Sequence, residues 1–432
     1  MNIIAIDIGA SFLKAGLFTD GKLQRKIHRK SPRIESDWKE PVQINRLVEM
    51  VRTAVTELAD GLKEATIAIS NEMHGFILTD KDGRPLTDYI SWQREFGNLL
   101  LSDGTTPVSY FKGLDEEVHK TGMNLRTSLP SANLRYVIDT IGCGNCFFYT
   151  LGDYIIYALS GRRPVCHVTN AAATGLFDLK ENRWNYKLIE AAEATNISFP
   201  EVGSGIMEFS IEKTHLNVLP AIGDQQATLL GTGFENDNDN DISFNLGTGA
   251  QVSRLVKEPS FSDKWQIRPY FDGMYLKTIP HLPSGRAVNV YFRFVKEIAT
   301  EFNKDVSDDD IWAYILDEAG KSDGTISCDL SFFANPCTDN LKGSIAEIGE
   351  YDMRVGNLFH SIFDQMSDNF LWAAEILSDD MPEVSRVVFS GGIADRISLI
   401  REKIMSRYPH AENIMGDDES LRGLCKYAER MG

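Results

Sequence analysis

Apolar residues near the start of the chain fall in two short blocks separated by a glycine. The first block covers residues 2–8 and ends in Asp7-Ile8, and the second runs from Leu13 to Phe18. Gly9 stands between them, where a sharp change of direction favours a residue without a side chain. The pattern predicts a strand, a glycine turn and a second strand.

The next apolar residues follow a helical period. Beginning at Ile44, apolar side chains recur three or four positions apart up to Leu58, and Gly61 then ends the pattern. This spacing predicts a helix with one buried face. The short apolar block from Ala65 to Ser70 predicts a buried strand. Strands that alternate with helices are typical of an α/β fold.

The second half of the chain begins like the first. Residues 242–246 and 250–256 predict two strands, joined by the turn Gly247-Thr248-Gly249. This layout matches the N-terminal strand, turn and strand, and so indicates a weak internal repeat. We therefore predict two α/β lobes, residues 1–222 and 223–432, with a ligand-binding cleft between them.

The last hundred residues predict three further elements. Apolar positions between 353 and 377 have helical spacing, residues 387–389 form a short apolar strand, and residues 397–405 predict another helix. The turn Ser390-Gly391-Gly392 lies between the strand and the final helix. It is the third glycine turn in the chain that directly follows a strand.

Composition limits the classes of function. The chain has 432 residues, with 44 Lys and Arg against 62 Asp and Glu, which gives a net charge of −18. This charge argues against nucleic acid or an anionic membrane as a partner. It still allows a small anionic ligand held by backbone N–H groups and Mg²⁺.

The remaining bulk features favour a cytoplasmic protein. Apolar runs stay below the roughly 18 residues that a membrane helix needs, and the N-terminus reads directly into a strand, so we expect no signal peptide. The six cysteines are scattered along a long chain, and we expect no disulfide framework.

Glycine turns after strands can bind phosphate, because exposed backbone N–H groups form an anion-binding nest. Strands also commonly end in glycine for structural reasons alone. Two of the three turns occupy equivalent places in the repeated halves, and this favours the phosphate-binding interpretation. The chain contains neither a Walker A pattern nor a Rossmann glycine pattern after its first strand.

Asp224 has two interpretations. It follows Gly223 and precedes residues 225–230, which predict the first turns of a helix, so it could be a helix N-cap. It could also be a catalytic carboxylate at the lobe boundary, because a general base must be a free carboxylate within reach of the hydroxyl that it deprotonates.

Two further segments predict either core packing or a sugar pocket. Met73-His74-Gly75 follows a strand, and Trp92-Gln93-Arg94 comes soon after it. The structural alternative is a core methionine, a surface histidine and a packed tryptophan. In the functional alternative the indole is a stacking wall, and His74, Gln93 and Arg94 hydrogen-bond sugar hydroxyls.

Taken together, these motifs resemble those of the FGGY carbohydrate kinases, in the same order and over nearly the whole chain. The matching segments are Asp7-Ile8-Gly9-Ala10-Ser11 with Lys14, Ile69-Ser70 with Met73-His74-Gly75, Gly152-Asp153-Tyr154, Leu159-Ser160-Gly161, Asn170-Ala171-Ala172, Phe177-Asp178 with Trp184, Gly223-Asp224-Gln225-Gln226, Asn245-Leu246-Gly247-Thr248-Gly249 and Ser390-Gly391-Gly392.

The resemblance implies two actin-like, ribonuclease H-like lobes, each a mixed sheet flanked by helices. It implies a kinase that uses ATP and Mg²⁺, with Asp224 as the general base and Asp7 and Asp224 as metal ligands. Substrate contacts would come from Met73, His74, Trp92, Gln93, Arg94 and Asp224. ATP contacts would come from Gly9, Ala10, Ser11, Lys14, Gly247, Thr248, Gly249, Gln251, Gly391 and Gly392.

Within the family, residues 247–251, 268–276 and 282–286 resemble the sedoheptulokinase subfamily, so we expect sedoheptulose as the acceptor. Xylulose or another ketose or polyol is the alternative, and we leave a homodimer open. Two departures affect the site. The family usually has an Asp in a Trp-x-Asp-x-Arg pattern, whereas Trp92-Gln93-Arg94-Glu95 has none at that spacing, so a sugar hydroxyl contact is either missing or supplied by Glu95. The family also usually has Thr where Ala10 stands, so a hydroxyl contact to phosphate could pass to Ser11.

Two functions without sugar phosphorylation stay as alternatives: an actin-like ATP-binding switch and a sugar sensor. Three other signals are interpreted as structural. Cys143 and Cys146 lack a second ligand pair for zinc. The run 237–241 lacks the glycine and glutamate of a calcium loop. Residues 308–310 suit a helix N-terminus.

Overall fold

The structure is a computed structural model that describes residues 1–32, 37–235, 240–247, 250–378, 383–416 and 418–432. Its strands are β1 Asn2–Ile8, β2 Phe12–Thr19, β3 Lys22–Lys30, β4 Glu64–Asn71, β5 Ile77–Thr79, β6 Phe147–Tyr149, β7 Phe177–Asp178, β8 Arg183–Trp184, β9 Met207–Ile211, β10 Thr214–Val218, β11 Ile222–Gly223, β12 Asp241–Asn245, β13 Ala250–Val256, β14 Gln266–Pro269, β15 Tyr275–Leu282, β16 Ser327–Asp329, β17 Ser344–Ala346, β18 Arg386–Ser390 and β19 Glu412–Met415. Its helices are α1 Val42–Ala59, α2 Asp115–Lys120, α3 Pro130–Ile141, α4 Leu151–Ser160, α5 Val168–Ala172, α6 Tyr186–Ala191, α7 Asp224–Gly231, α8 Gly285–Phe302, α9 Asp308–Gly320, α10 Val355–Ser378, α11 Gly392–Arg396, α12 Ser398–Arg407 and α13 Glu419–Met431.

The N-terminal sheet is mixed. Its strands run in the order β3-β2-β1-β4-β10-β9, and β11 pairs with β4 beyond the end of β10. β1 is antiparallel to β2 and parallel to β4, while β10 and β11 are parallel to β4. The predicted strand, turn and strand at the N-terminus are thus confirmed as a hairpin.

Helices cover both faces of this sheet. On one face, α1 packs the apolar positions that its period predicted, from Ile44 to Leu58, against Ile4, Ile6 and Ile8 of β1. On the other face, α7 and α13 pack against Ile3 and Ala5 of the same strand. Because side chains alternate across a strand, Asp7 belongs to the face that carries α7 and α13.

The second sheet repeats this topology. Its order is β14-β15-β13-β12-β18-β19, with β12 antiparallel to β13 and parallel to β18. The hairpin β12–β13 therefore corresponds to β1–β2, and β18 corresponds to β4. The internal repeat predicted from the glycine turns is present in the connectivity of the strands.

The chain divides into two compact units that differ from the predicted lobes. The first unit comprises Met1–Glu235, Ile267–Tyr275 and Asp417–Gly432, and the second comprises Asn236–Gln266 and Leu276–Gly416. The boundary predicted between residues 222 and 223 falls inside the first unit. The physical reason is α13, whose Leu421, Leu424 and Tyr427 pack with α7 on the N-terminal sheet.

Most predicted elements lie within a few residues of their expected limits. The helix predicted over 353–377 is α10, the strand predicted over 387–389 is β18, and the helix predicted over 397–405 is α12. Ser307 caps α9, which confirms residues 308–310 as a helix N-terminus. Among the described residues, no helix is both long enough and apolar enough to cross a bilayer.

The cysteines agree with the absence of a disulfide framework except at one local pair. Cys143 and Cys146 form a disulfide within the turn between α3 and β6. Cys166, Cys328, Cys337 and Cys425 are free thiols. The predicted loop 237–241 falls largely outside the described residues.

Candidate functional site

Three neighbouring parallel strands of the first unit end at the same edge of the sheet. In the registers of β1, β4 and β11, Asp7 lies beside Ser70, and Ser70 lies beside Ile222. The residues that follow these positions therefore leave the sheet together. Among them are Glu72 after β4 and Asp224 after β11, so the fold brings three carboxylates to one edge.

Asp7 is held by two hydroxyl groups. Ser70 Oγ donates to Asp7 Oδ1 at 2.8 Å, and Ser420 Oγ donates to Asp7 Oδ2 at 2.7 Å. Asp7 and both serines are buried. Ser420 lies at the start of α13, more than 400 positions along the chain, and sequence reasoning missed it because no local pattern connects it to Asp7.

Asp224 is the first residue of α7 and not its N-cap. Gly223 occupies the N-cap position, and the Asp224 carboxylate accepts a 2.9 Å bond from the N–H of Gln225, the adjacent residue. The interpretation of Asp224 as a helix cap is therefore wrong. The carboxylate keeps some exposure at the edge of the sheet, where it can reach a ligand.

The surroundings of Asp224 favour its protonated form. Desolvation raises the pKa of Asp224 to about 7, and the negative charges of Asp7 and Glu72 add to the rise. The Gln225 N–H and the Arg268 guanidinium act in the opposite direction. A carboxyl with a pKa near neutrality can accept a proton at physiological pH and release it again.

Two arginines were not predicted as site residues: Arg268, which is buried near Asp224, and Arg126, which lies near Arg268. Arg268 Nη1 donates to Gln225 Oε1 at 2.5 Å, and Arg268 is nearly inaccessible to solvent. Nε and Nη2 of Arg126 are buried as well. Burial lowers the pKa of Arg268 to about 9, with the neighbouring charge of Arg126 adding to the effect. Their distance from Asp224 in sequence hid them from pattern analysis.

Trp92 is joined to the site through Glu72. The indole Nε1–H donates to Glu72 Oε2 at 2.8 Å, and Glu72 is buried. Glu95, which the sequence offered as a substitute for the family's aspartate, is exposed. The carboxylate that accompanies Trp92 is therefore the residue immediately before Met73. Its place at the end of β4 was the signal that could have identified it.

His74 and Met73 lie at the same edge. His74 has φ +61° and places Nδ1 at 2.7 Å from the carbonyl oxygen of Ala173. A carbonyl only accepts, so this contact assigns a proton to Nδ1. Met73 is buried, and its side chain packs against the backbone of Gly223, directly before Asp224.

Gln93 and Arg94 are less constrained than Trp92. Gln93 is exposed, and Arg94 is partly exposed. The backbone N–H of Arg94 donates to the carbonyl of Ser91, and its carbonyl accepts a bond from the Asn133 side chain. The segment is thus fixed through its backbone, and the role of these two side chains in acceptor binding stays a prediction.

The first glycine turn joins β1 to β2. Gly9 N donates to the carbonyl of Phe12 at 3.0 Å, and Ser31 Oγ donates to the Gly9 carbonyl at 2.8 Å. Ala10 is partly exposed and Ser11 is exposed. Lys14 is paired with Asp7 in the hairpin register, so the two side chains share a face of the sheet.

In the second unit, the turn at Gly247 lies against the turn at Gly391 and Gly392. Gly391 has φ +92°, and a β-carbon there would lie 2.7 Å from the carbonyl carbon of Leu246 and 2.8 Å from Gly247 N. Only glycine suits this position, because both the dihedral angle and the contact exclude a side chain. Gly392 begins α11 and faces open space.

The remaining residues predicted to bind ATP are only partly described. Thr248 and Gly249 lie outside the described residues. Gln251 pairs with Asn245 across the β12–β13 hairpin, next to the turn. Gly285, which sequence reasoning did not place in the site, lies beside Ile393 and the Gly247 carbonyl. It begins α8 and adds a third backbone segment to this region.

Asp7 and Asp224 fit the requirements of a magnesium ion. Mg²⁺ is usually bound by one or two carboxylates together with water and substrate phosphates. Desolvation and the negative charge of Asp7 both raise the pKa of Asp224. A cation bound between the two carboxylates would offset the repulsion between them. Among the described residues, no group of three or more His, Cys, Asp or Glu forms a complete protein cage for a metal.

Comparison with known proteins identifies similar sequences. Residues 2–98 match the N-terminal domain of the FGGY family of carbohydrate kinases. A glycerol kinase of Marinomonas sp. is 28% identical over 251 residues, covering 53% of this chain and 50% of that protein. Glycerol kinase 1 of Thermotoga maritima is 26% identical over 289 residues, covering 61% and 57%. The matched region thus spans about half the length of these relatives.

Solved structures show the same two-lobed, actin-like α/β fold. A xylulose kinase of Lactobacillus acidophilus superposes with a TM-score of 0.82 at 17% identity, covering 100% of this chain and 89% of that one. A glycerol kinase of Plasmodium falciparum with ADP has a TM-score of 0.78 at 16% identity, covering 98% and 88%. The fold class predicted from the sequence is confirmed.

Proposed function

We propose that this chain is a carbohydrate kinase of the FGGY family, and that it transfers the γ-phosphoryl group of ATP to a terminal primary hydroxyl of a polyhydroxylated acceptor. The observation that carries the proposal is Asp224. It is a recessed carboxylate with a pKa of about 7, beside Asp7, at the end of three parallel strands. This is the setting that a general base for a sugar hydroxyl requires.

In the proposed reaction, Asp224 accepts the proton of the acceptor hydroxyl. The hydroxyl oxygen forms a bond to the γ-phosphorus, and the bond from that phosphorus to the bridging oxygen breaks, so that ADP leaves. Most of the rate gain comes from positioning and electrostatics, because the loose transition state needs little covalent assistance. The 2.9 Å bond from Gln225 N holds one carboxylate oxygen in place.

Asp7 and Asp224 are the proposed ligands of Mg²⁺, which offsets charge on the phosphates when it is bound. Ser70 and Ser420 orient Asp7 for this role through their two hydrogen bonds. The backbone N–H groups near Gly9 and Gly247 are the proposed donors to phosphate. Gly391 would let the adenosine approach the backbone without a β-carbon in the way.

The acceptor is proposed to bind beside Trp92. The Trp92–Glu72 bond gives a fixed aromatic wall next to a carboxylate, and His74 is the proposed hydrogen-bond partner of an acceptor hydroxyl. The motif resemblance makes sedoheptulose our first choice, with sedoheptulose 7-phosphate as product. Proteins similar to this chain are named as glycerol, xylulose and gluconate kinases, so these three acceptors are the alternatives.

An ATP-binding switch or a sugar sensor is the alternative class of function. A switch has no need of a buried carboxylate paired with an indole beside the proposed base, and a sensor has no need of a carboxylate with a pKa near 7. We therefore favour the kinase. We also propose a cytoplasmic location, and the net charge of −18 argues against a nucleic-acid or anionic-membrane partner.

The test is ADP release from Mg·ATP with sedoheptulose, xylulose, glycerol and gluconate. We expect acceptor-dependent release that falls by about 10²–10⁴ in Asp224→Asn, the usual contribution of a positioned base, while nucleotide binding persists. Asp82→Asn, at an exposed loop aspartate, is the control. Slow release that is the same with every acceptor would contradict the proposal. Release with a different acceptor would keep the mechanism and reject sedoheptulose.

A further inference from the structure

Two strands of the first unit end directly before carboxylates of the proposed site. β4 ends at Asn71, which precedes Glu72, and β11 ends at Gly223, which precedes Asp224. Asn71 and Gly223 are neighbours in the register of the two strands. The separation of the two carboxylates therefore depends on the contacts that hold these strand ends. Helix α5 supplies such contacts through two adjacent side chains.

Thr169 of α5 holds the end of β11. The backbone N–H of Gly223 donates to Thr169 Oγ1 at 3.1 Å, and Thr169 is buried. Gly223 is the N-cap of α7, so the position of its backbone determines where Asp224 begins the helix. The bond to Thr169 therefore acts one residue before the proposed base.

His167 fixes the orientation of the Thr169 hydroxyl. Its Nδ1 accepts the backbone N–H of Thr169 at 3.3 Å and lies 2.9 Å from Thr169 Oγ1. Because Nδ1 is the acceptor of that N–H it carries no proton, and the hydroxyl must donate to it. Burial lowers the pKa of His167 to about 4, so the ring stays neutral at physiological pH. A lone pair of Oγ1 is thereby kept for the N–H of Gly223.

Asn170, the next residue of α5, holds both strand ends through its side-chain amide. Its Nδ2 donates to the Ala221 carbonyl at 2.8 Å and to Asn71 Oδ1 at 3.0 Å. Asn71 Nδ2 in turn donates to Asn170 Oδ1 at 3.3 Å and to the Glu72 carbonyl at 2.8 Å. Both asparagines are buried. A buried polar network whose donors all have acceptors is rigid, so the two strand ends are held in one arrangement.

We propose that Thr169 and Asn170 are positioning residues, which hold the general base at the distance from the acceptor pocket that the reaction requires. Thr169 acts on Asp224 through Gly223, and Asn170 acts on both strand ends. A displacement of about 1 Å in a reacting group can lower the rate about a hundredfold, so small shifts of these strand ends matter. This inference rests on the proposed kinase function.

The first test is initial-rate kinetics of Thr169→Val and Thr169→Ser at saturating Mg·ATP. Valine has the shape of threonine without the hydroxyl, so kcat should fall about 10- to 100-fold while the KM for the acceptor changes little. Serine keeps the hydroxyl and should restore most of kcat. Thr214→Val is the matched control, because Thr214 is buried and its hydroxyl bonds to the Leu62 carbonyl near the other end of β4. It should keep the kcat of the wild type.

Asn170→Ala tests the contact with both strand ends. It removes the bonds to Ala221 and Asn71, and Asn71 leads into Glu72 of the proposed acceptor pocket. We therefore expect kcat to fall and the KM for the acceptor to rise, each by about tenfold, with the KM for ATP unchanged. An unchanged KM for the acceptor would remove Asn170 from this role.

Hydrogen exchange of the Gly223 amide, followed by NMR, gives a readout that needs no catalytic activity. In Thr169→Val this amide should exchange about tenfold faster or more, relative to the Leu219 amide, which is bonded to the Ile67 carbonyl and reports any general loss of stability. Circular dichroism and thermal unfolding confirm that each variant is folded.

The outcomes separate this role from the proposed function. No ADP release by the wild type with any acceptor would reject the proposed function together with this role. Release by the wild type with an unchanged kcat in Thr169→Val would overturn this role alone. So would a Thr169→Ser variant as slow as Thr169→Val, or equal exchange of the Gly223 amide in Thr169→Val and the wild type.

Discussion

Ser420 donates a hydrogen bond from its hydroxyl to Asp7 Oδ2 at 2.7 Å, although 413 positions separate the two residues. The bond joins the first strand of the chain to its last helix, and both belong to the first compact unit. The orientation of a proposed magnesium ligand therefore depends on the C-terminus. Through this hydrogen bond, α13 helps to hold Asp7 in place.

We predict that Ser420→Ala weakens the use of magnesium. Without the Ser420 hydroxyl, Asp7 keeps the bond from Ser70 but loses the bond to Oδ2, and the loss of a hydrogen bond to a charged group costs about 1.5–3 kcal/mol. The Mg²⁺ concentration for half-maximal activity should rise about tenfold or more, as measured by titrating Mg²⁺ at saturating ATP. Ser406→Ala, which removes an exposed hydroxyl from α12, should leave the titration unchanged. An unaltered Mg²⁺ requirement in Ser420→Ala would remove Ser420 from this role.

We predict that Gly423→Ala destabilises the first unit. A β-carbon at Gly423 in α13 would collide with the carbonyl of Ala227 in α7, and one at Gly231 would collide with the carbonyl of Glu419. The two helices thus pack backbone against backbone. Overpacking of this kind costs about 1–3 kcal/mol, so chemical denaturation should show a lower free energy of unfolding.

The control for this variant is Gly320→Ala. Gly320 ends α9, and a β-carbon there meets no atom within 4 Å. Because alanine is the better helix former by about 1 kcal/mol, this variant should be as stable as the wild type or more stable. Equal stability of both variants would show that α7 and α13 can separate without cost.

We predict that Trp92→Phe impairs acceptor binding more than ATP binding. Phenylalanine keeps an aromatic wall but loses the Nε1–H that donates to Glu72 at 2.8 Å. Glu72 then loses a donor in a buried place, and the KM for the acceptor should rise about tenfold with little change in the KM for ATP. Initial-rate kinetics with each substrate varied in turn measures both values.

Trp265→Phe provides the comparison for that experiment. Its indole also donates one hydrogen bond, to the Ser260 carbonyl at 2.7 Å, but it lies in the second unit. Its KM values should stay at the wild-type level. Equal changes in both KM values for Trp92→Phe would argue that the bond supports the fold and not the acceptor site.

We predict that kcat/KM for the acceptor falls below neutral pH. The base must be ionised to accept a proton, and the pKa of Asp224 is raised to about 7 by desolvation and by Asp7. Activity should therefore be lost as pH falls through that value, about tenfold per pH unit well below it. The measurement is kcat/KM against pH at saturating Mg·ATP.

The cation changes this profile in a known direction. The fall of kcat/KM at low pH is the acid limb of the profile. Bound Mg²⁺ offsets the charge of Asp7, so this acid limb should move to lower pH as the Mg²⁺ concentration rises. Asp224→Asn, which has no carboxyl to titrate, should lose the limb in its residual activity. A limb that persists unchanged in Asp224→Asn would assign the titration to another group.

Local patterns were sufficient for the elements and for the class of fold. The helical period from Ile44 to Leu58 fixes α1, because one buried stripe requires that spacing. The pattern of strand, glycine turn and strand occurs at Asp7 and again at Asn245. It predicted two similar halves, because each pattern forms a hairpin in its own sheet. These features depend on residues that are close together in sequence.

The composition of the site could be predicted only in part, because its residues meet through long-range contacts. Asp7, Asp224 and Trp92 were identified from motifs, whereas Glu72, Arg268 and Ser420 were not. Each of the three missed residues is recognised by its hydrogen bond to a residue distant in sequence. Glu72 bonds to Trp92, Arg268 to Gln225, and Ser420 to Asp7. No spacing rule in one dimension connects such pairs.

By itself, the sequence determined the alternation of strands and helices, the two repeated halves and the glycine turns. Backbone preferences and the spacing of apolar residues depend on residues that are close together in sequence. Only the tertiary structure decided that α13 returns to the first sheet, that Gly223 rather than Asp224 caps α7, and that Asp7 faces Ser420. Those outcomes follow from how β1, β4 and β11 align and from which sheet face α7 and α13 bury. Such choices are settled by packing between distant segments.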